Sequence, residues 1–205
     1  MKELRLDSGY PPQLGFSSLA KSRPGTGERA KFKLARALEE LMLVKPFSKI
    51  SVLALTERAD VSRQTFYNHF VDKTDLVAWI GQQLDLSTYS QIGIGLTWEE
   101  ACRKKLSFMK SKEPFYCELY EAESHSDLFE REVESTFRCY ERILVRMSGI
   151  TLSEQSKLEL KLFCYGSCGL ISEWSRSGMA ESIDLLMRAE RSTLPSFARK
   201  VFLGE

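Results

Sequence analysis

The sequence of 205 residues predicts an all-α protein. Apolar residues recur at helical spacing along most of the chain, and N-cap residues precede the helical stretches. No stretch shows the sustained alternation of apolar and polar residues that predicts a half-buried strand. No apolar run approaches the roughly 20 residues that a membrane-spanning helix requires, so no membrane partner is expected.

Residues 1–25, which precede the first helix, contain three prolines and three glycines. This composition predicts a flexible arm. A first helix is predicted to end before Pro46, because the residue that precedes a proline disfavours the α conformation. Asp75 stands three residues after the predicted N-cap Asp72, an arrangement close to a capping box. Four residues are predicted to cap the first four helices: Thr26, Ser51, Ser62 and Asp72.

The remaining helices begin beyond a break that Gly93 and Gly95 mark. Thr97 and Ser153 are predicted N-caps, and Gly178 fits the position after a helix end. The predicted helices cover residues 97–112, 114–124, 127–147, 153–177 and 181–203.

The near-neutral formal charge of +1 conceals an asymmetry. Residues 21–80 contain eleven Lys or Arg against seven Asp or Glu, a net charge of +4, whereas residues 81–205 have a net charge of −3. Such a split points to nucleic-acid contacts in the basic part. Chance variation in solvated helix faces would explain it equally well.

Compartment and chemistry are constrained by the residues that the chain lacks. The N-terminus has no continuous apolar stretch of the kind found in a secretion signal, and five cysteines without zinc-type spacing are typical of reduced thiols, so a cytoplasmic location is expected. No Gly-rich phosphate loop, metal-spaced cluster or nucleophile motif occurs. We therefore expect neither an enzyme nor a cofactor or metal site.

Residues 51–70 have the spacing of a helix, a tight turn and a second short helix. Val61 and Phe66 can anchor the second helix, so that its other side is polar. A helix in the major groove needs such donors and acceptors: Gln and Asn can bond adenine, and Arg can reach guanine or phosphate. The polar surface consists of Arg63, Gln64, Thr65, Tyr67, Asn68 and His69.

The segments FSKISV, ADVSRQTFYNHF and DKTDL, in this order within residues 31–80, resemble the DNA-binding domain of TetR-family transcription regulators. The resemblance covers about a quarter of the chain and keeps the spacing of the family. It implies a three-helix helix-turn-helix DNA-binding domain over residues 26–80. A helical ligand-binding and dimerisation bundle over residues 81–205 would follow.

The resemblance also implies which residues lie at or near DNA. Lys73 matches a frequent phosphate-binding lysine, whereas Gln64 stands where the family often has Gly or Ala. Thr56 either bonds a phosphate or is merely exposed, and His69 either reaches the DNA or packs against the first helix. The implied DNA-binding residues are Ser51, Thr56, Ser62, Arg63, Gln64, Thr65, Tyr67, Asn68, His69 and Lys73.

The last helices resemble the pair that forms the dimer interface in this family. Small residues within FCYGSCGLISEW would let two helices approach closely, and ordinary packing within one chain is the alternative. The segment SEWSRSGM also resembles a subgroup of regulators of dihydroxyacetone-kinase operons. The predicted interface residues are Gly166, Gly169, Leu170, Leu186, Leu194, Phe197 and Val201.

Aromatic residues are frequent in the middle of the chain, where they either line an apolar ligand pocket or belong to the plain core. Cys164 and Cys168 are four residues apart, which would suit a metal or an oxidant sensor, but buried small apolar residues are the favoured interpretation. The predicted ligand-binding residues are Phe108, Phe115, Tyr116, Tyr120, Phe137, Tyr140 and Phe163.

The function predicted on these grounds is a homodimeric repressor that binds a palindromic operator in double-stranded DNA and responds to a small-molecule effector. The alternative is a helical protein-binding adaptor, or a regulator without such an effector.

Overall fold

The computed structural model of the protein describes residues 26–121 and 126–205. Within these ranges the chain forms ten α-helices and two short 3₁₀ turns, with no named strand. The predicted arm, residues 1–25, and the end of the helix predicted over 114–124 lie outside the described residues. The all-α prediction is confirmed.

The first four helices form a compact head. Helix α1 packs on the three helices that follow it, and a 3₁₀ turn over Phe47–Lys49 precedes α2. The turn between α2 and α3 is tight because Asp60 adopts a left-handed conformation with φ of 52°, which Asp tolerates better than most residues. The helices of the head are α1 (Thr26–Met42), α2 (Val52–Ala59), α3 (Arg63–Tyr67) and α4 (Lys73–Ser87).

Helix α4 continues past residue 80 and joins the head to the larger helical bundle as one uninterrupted helix. It packs on α7, which in turn packs on α8. A second 3₁₀ turn follows α4 at Tyr89–Gln91. The helices of the bundle are α5 (Trp98–Ser111), α6 (Glu113–Glu121), α7 (Ser126–Ser148), α8 (Glu154–Arg176), α9 (Ile183–Thr193) and α10 (Ser196–Leu203).

The predicted caps are confirmed wherever the structure describes their side chains. The Ser51, Ser62 and Asp72 side chains accept the backbone N–H three residues on, as N-caps do. Thr97 forms a full capping box with Glu100, and Ser153 caps α8.

The prediction of a single helix over residues 181–203 is wrong. Two helices, α9 and α10, occupy this segment, and they are separated at Leu194 and Pro195. Leu194 has an extended ψ of 129°, because the ring of the following proline disfavours the α conformation at the residue before it. Pro195 also has no N–H to continue the helix.

Candidate DNA interface and internal cavity

Helix α3 is held on the head from one side. Phe66 is fully buried, and its ring lies 5.7 Å from that of Phe70. Ser62 fixes the start of the helix, because its Oγ accepts the Thr65 N–H at 3.0 Å and lies 2.8 Å from the Thr65 hydroxyl. The opposite side of the helix is therefore presented to solvent in one orientation.

Four predicted DNA-contacting residues share this exposed side: Arg63, Gln64, Tyr67 and Asn68. The Gln64 amide donates to the Asn68 Oδ1 at 2.9 Å, one helical turn away. The pair therefore presents an organised set of amide donors and acceptors. Adenine carries a matching acceptor and donor in the major groove.

His69 and Thr56 lie elsewhere. The His69 ring lies against Gly27 at the start of α1, as in the packing alternative. Thr56 is only 2% exposed, and its hydroxyl donates to the Leu53 carbonyl at 3.0 Å. Thr56 is thus neither exposed nor free to bond a phosphate, contrary to both expectations, since an internal position of α2 turns its side chain into the core. Ser51 is exposed and serves as the cap of α2.

Lys73 also differs from the expectation of a phosphate-binding lysine. Its ammonium group donates to the carbonyl oxygens of Phe47 at 2.6 Å, Ile50 at 3.0 Å and Ser48 at 3.3 Å. The same nitrogen lies 4.4 Å from the centroid of the Phe47 ring. Burial lowers the pKa of Lys73. The side chain thus fastens the start of α4 to the turn before α2, and its donors are already engaged.

A cavity of about 1130 Å³ lies between helices α4, α5, α6 and α7. Of the predicted ligand-binding aromatic residues, Phe115, Tyr116 and Tyr120 line it. Phe108 and Tyr140 instead belong to the core, where the Tyr140 hydroxyl accepts the Trp98 N–H at 3.0 Å. Among the others, Phe137 is half-buried outside the lining, and Phe163 contributes to a separate groove.

A buried ion pair forms part of the cavity wall. The Lys105 ammonium lies 3.0 Å from Asp85 Oδ1 and 4.5 Å from the centroid of the Tyr89 ring. Burial opposes the charged form of Lys105, but the adjacent Asp85 carboxylate keeps the pKa of Lys105 well above its ordinary value. Sequence patterns did not reveal this pair, because its partners are twenty residues apart on different helices.

Glu132 contributes a second carboxylate to the same wall. Its Oε2 accepts the Tyr120 hydroxyl at 2.8 Å, and burial raises its pKa. The neighbouring Tyr116 hydroxyl is buried and has no hydrogen-bond partner among the described residues. The wall thus combines charged groups, hydroxyls and aromatic rings.

Helix α6 connects this cavity to the head. The carboxylate of Glu118 accepts the backbone N–H of Phe47 at 2.8 Å, in the turn whose carbonyls hold Lys73. Lys112, which lies between α5 and α6, forms an ion pair with Glu39 of α1. A shift of α6 would therefore act directly on the head.

A second surface lies on helices α8 and α9. Leu162, Leu158 and Leu185 are large apolar residues with 74%, 62% and 48% of their surface exposed. Beside them runs a groove of about 470 Å³ whose wall includes Gly166 and Leu170. These exposed leucines were not among the predicted interface residues, although Leu158 and Leu162 stand four residues apart, the helical spacing that places them on one side of α8.

The predicted interface residues divide by exposure. Gly166, Gly169 and Leu170 lie on the accessible side of α8, and Phe197 and Val201 are half-buried on α10. Leu186 and Leu194 are each 3% exposed and pack in the interior of this chain, as in the alternative that these residues serve packing within one chain.

The cysteines are mostly buried, and burial raises the pKa of Cys164 to about 12. Within residues 26–121 and 126–205, no group of three or more His, Cys, Asp or Glu side chains could hold a metal ion. None of the helices in these ranges is long and apolar enough to cross a membrane.

Comparison with known proteins gives two family matches. Residues 34–80 match the family described as bacterial regulatory proteins of the tetR family, and residues 96–189 match the family described as a transcriptional regulator C-terminal region. The chain is 24% identical over 96 residues to the dhaKLM operon transcriptional activator DhaS of Lactococcus lactis subsp. lactis. That alignment covers 47% of this chain and spans about half of the relative, 51% of its length.

Two solved structures share the fold. One is a dihydroxyacetone kinase operon activator DhaS, with a TM-score of 0.51 and 16% identity. The other is the repressor AlkX from Dietzia sp., implicated in biodegradation of n-alkanes, with a TM-score of 0.52 and 17% identity. Each match covers 84% of this chain and 96% of the other.

Proposed function

We propose, from the premise that this chain belongs to the TetR family of bacterial transcriptional regulators, that it is a ligand-responsive homodimeric repressor. Residues 26–80 would bind a palindromic operator, and residues 81–205 would hold the effector and the dimer interface. The regulators of this family are transcription factors rather than enzymes, in agreement with the expectation from the sequence. The protein would act in the cytoplasm, together with the DNA.

The exposed side of α3 carries the proposal of DNA binding. Its amide pair, Gln64 and Asn68, and the neighbouring Arg63 are the side-chain types that read base edges in the major groove. The start of α3 carries the partial positive charge of a helix N-terminus, which suits a nearby phosphate. Two such heads related by a two-fold axis would read two half-sites.

Replacing Gln64 with alanine is expected to change the preferred operator sequence at one base pair of each half-site. Loss of a bidentate amide contact lowers the discrimination between bases by about 1–3 kcal/mol. The measurement is selection of bound duplexes from a randomised pool, followed by affinity titration of the selected sequences at fixed salt.

Gln155→Ala is the matched control, because Gln155 on α8 also donates to a side chain four residues on, Glu159, at 2.8 Å. This variant should select the wild-type operator. If Gln64→Ala selected that same operator with unchanged affinity, α3 would not be the recognition helix.

The exposed apolar side of α8 supports dimerisation. Leu158 and Leu162 lie one turn apart on the exposed side of α8, and Leu162 lines the groove that also contains Gly166. Exposed apolar surface of this kind marks protein interaction sites. A two-fold contact would bury the same surface on both subunits.

Replacing Leu162 with arginine is therefore expected to yield monomers, because the new charge would have to be buried in the contact. Operator affinity should fall at least about tenfold, since the two heads would no longer bind as one unit. Sedimentation velocity reports the mass, and Ile150→Arg, at an apolar residue with 68% exposure in the loop between α7 and α8, is the control. A Leu162→Arg protein that stayed dimeric would contradict this interface.

The cavity and its connection to the head support a response to a ligand. Helix α6 lines the cavity with Tyr116 and Tyr120 and contacts the head through Glu118. An effector can shift DNA affinity only if it binds the two conformations of the protein with different free energies. Occupation of the operator would repress transcription. The expression of a reporter gene placed behind that operator measures this repression.

A further inference from the structure

The cavity wall carries more negative than positive charge. Its six acidic residues are Asp75, Asp85, Glu130, Glu132, Glu134 and Glu141, and its four basic residues are Lys105, Arg131, Arg138 and Arg142. The formal excess is therefore two negative charges. A cleft with low-dielectric walls concentrates such a field and attracts ions of the opposite sign.

Part of this negative excess can be assigned to one side chain, Glu132. Lys105 is neutralised by Asp85, with an N–O distance of 3.0 Å and side chains only 6% and 10% exposed. Glu132 is then the carboxylate left over, and its partner among the described residues is the neutral Tyr120 hydroxyl. Glu132 is half-buried, and removing a carboxylate from water is costly unless a cation or hydrogen-bond donors compensate for its charge.

Hydrogen-bond acceptors are also left over at this point. Glu132 uses Oε2 for the Tyr120 hydroxyl, and within residues 26–121 and 126–205 no donor is bonded to its Oε1. The Tyr116 oxygen is without a partner among the described residues, and Asp85 is bonded to Lys105 through Oδ1. Lys105, Glu132, Asp85 and Tyr116 all line this one cavity.

We propose that the cavity binds an organic monocation, a primary ammonium group on an apolar body, with Glu132 as its counter-ion. An ammonium group has three N–H donors and no acceptor, which fits the unused oxygens of Glu132 and Tyr116. Aromatic side chains, which attract cations through their ring faces, line the same cavity and would accommodate the apolar body.

An anionic ligand and a neutral ligand both fit the cavity less well than a cation. An anion could reach Lys105, but Asp85 already neutralises that ammonium and Glu132 would repel the newcomer. A neutral ligand would leave Glu132 with the Tyr120 hydroxyl as its partner among the described residues and would gain no charge-assisted hydrogen bond. The inference rests on the proposed effector role of the cavity, but its test does not involve DNA.

Calorimetric titration of the full-length protein with three probes of similar size and the same phenylalkyl body tests the proposal: 4-phenylbutylammonium, 4-phenylbutanol and 4-phenylbutanoate. The ammonium probe should bind at least about tenfold more tightly than the alcohol, the factor expected for one charge-assisted hydrogen bond. The carboxylate probe should bind most weakly. Equal affinities, preference for the carboxylate, or no binding of any probe would overturn the proposal.

Glu132→Gln should remove most of the preference for the ammonium probe, while Tyr116→Phe should weaken its binding several-fold. Glu173→Gln makes the same charge change at an exposed position of α8 and should bind as wild type does. An ammonium preference that survived in both cavity variants, each shown to be folded by circular dichroism, would overturn the assignment to Glu132. Operator binding, measured separately without probe, distinguishes failure of this inference from failure of the DNA-binding function.

Discussion

Replacing Lys105 with methionine is expected to lower the free energy of unfolding by about 3–5 kcal/mol, because Asp85 would remain buried without its cation. Methionine keeps most of the length and apolar volume of the lysine stem, so the loss reports the charge and not a large cavity. Lys105 and Asp85 are almost fully buried, which limits the water that could replace the ammonium. Urea-induced unfolding followed by circular dichroism measures the change.

The double variant Lys105→Met with Asp85→Leu is the matched control. Replacing both partners of a buried pair with apolar residues of similar volume is often neutral or stabilising. The double variant should therefore recover most of the lost stability. If it were as unstable as Lys105→Met alone, the lysine would stabilise the bundle through packing and not through Asp85.

The features that sequence predicted best are local in the chain. Ser51, Ser62 and Asp72 were predicted as caps, and each accepts a backbone N–H three residues further on. Such bonds depend on neighbouring residues alone, so helix starts can be located without tertiary information. The break at Pro195 was missed although its cause is equally local, since proline disfavours the α conformation at the residue before it.

The cavity was predicted only in part, because an aromatic residue is equally suited to a core and to a ligand site. Phe115, Tyr116 and Tyr120 line the cavity, whereas Tyr140 lies in the core and bonds to Trp98. Helical spacing predicts that these side chains turn inward. Helical spacing does not predict whether the space around an inward-facing aromatic ring is filled by other side chains or left open as a cavity.

Ion pairs across helices had no signal in the sequence. Lys112 of the bundle pairs with Glu39 of α1, 73 residues earlier. Sequence separation of this size says nothing about spatial contact, so the connection between the head and α6 depends on the three-dimensional packing. Lys73 shows the same limit: a family pattern suggests a phosphate, while the folded chain supplies three carbonyl oxygens.

Replacing Lys73 with methionine is accordingly expected to destabilise the protein by about 1.5–3 kcal/mol, the contribution of a hydrogen bond to a charged group. The carbonyl oxygens of Phe47 and Ile50 would lose their donor, and the start of α4 would lose its attachment to the turn before α2. Thermal unfolding measures the loss. Operator binding of the folded variant should keep the salt dependence of the wild type, because no phosphate contact is removed.

Lys49→Met is the matched control, since Lys49 lies exposed in the same turn and its removal changes the net charge equally. Surface substitutions of this kind usually change stability by less than about 0.5 kcal/mol. The two roles of Lys73 therefore give opposite results. A phosphate-binding lysine would leave the unfolding temperature unchanged and lower the slope of log K against log salt by about one, whereas a lysine that holds the turn lowers the unfolding temperature and leaves the slope as it is.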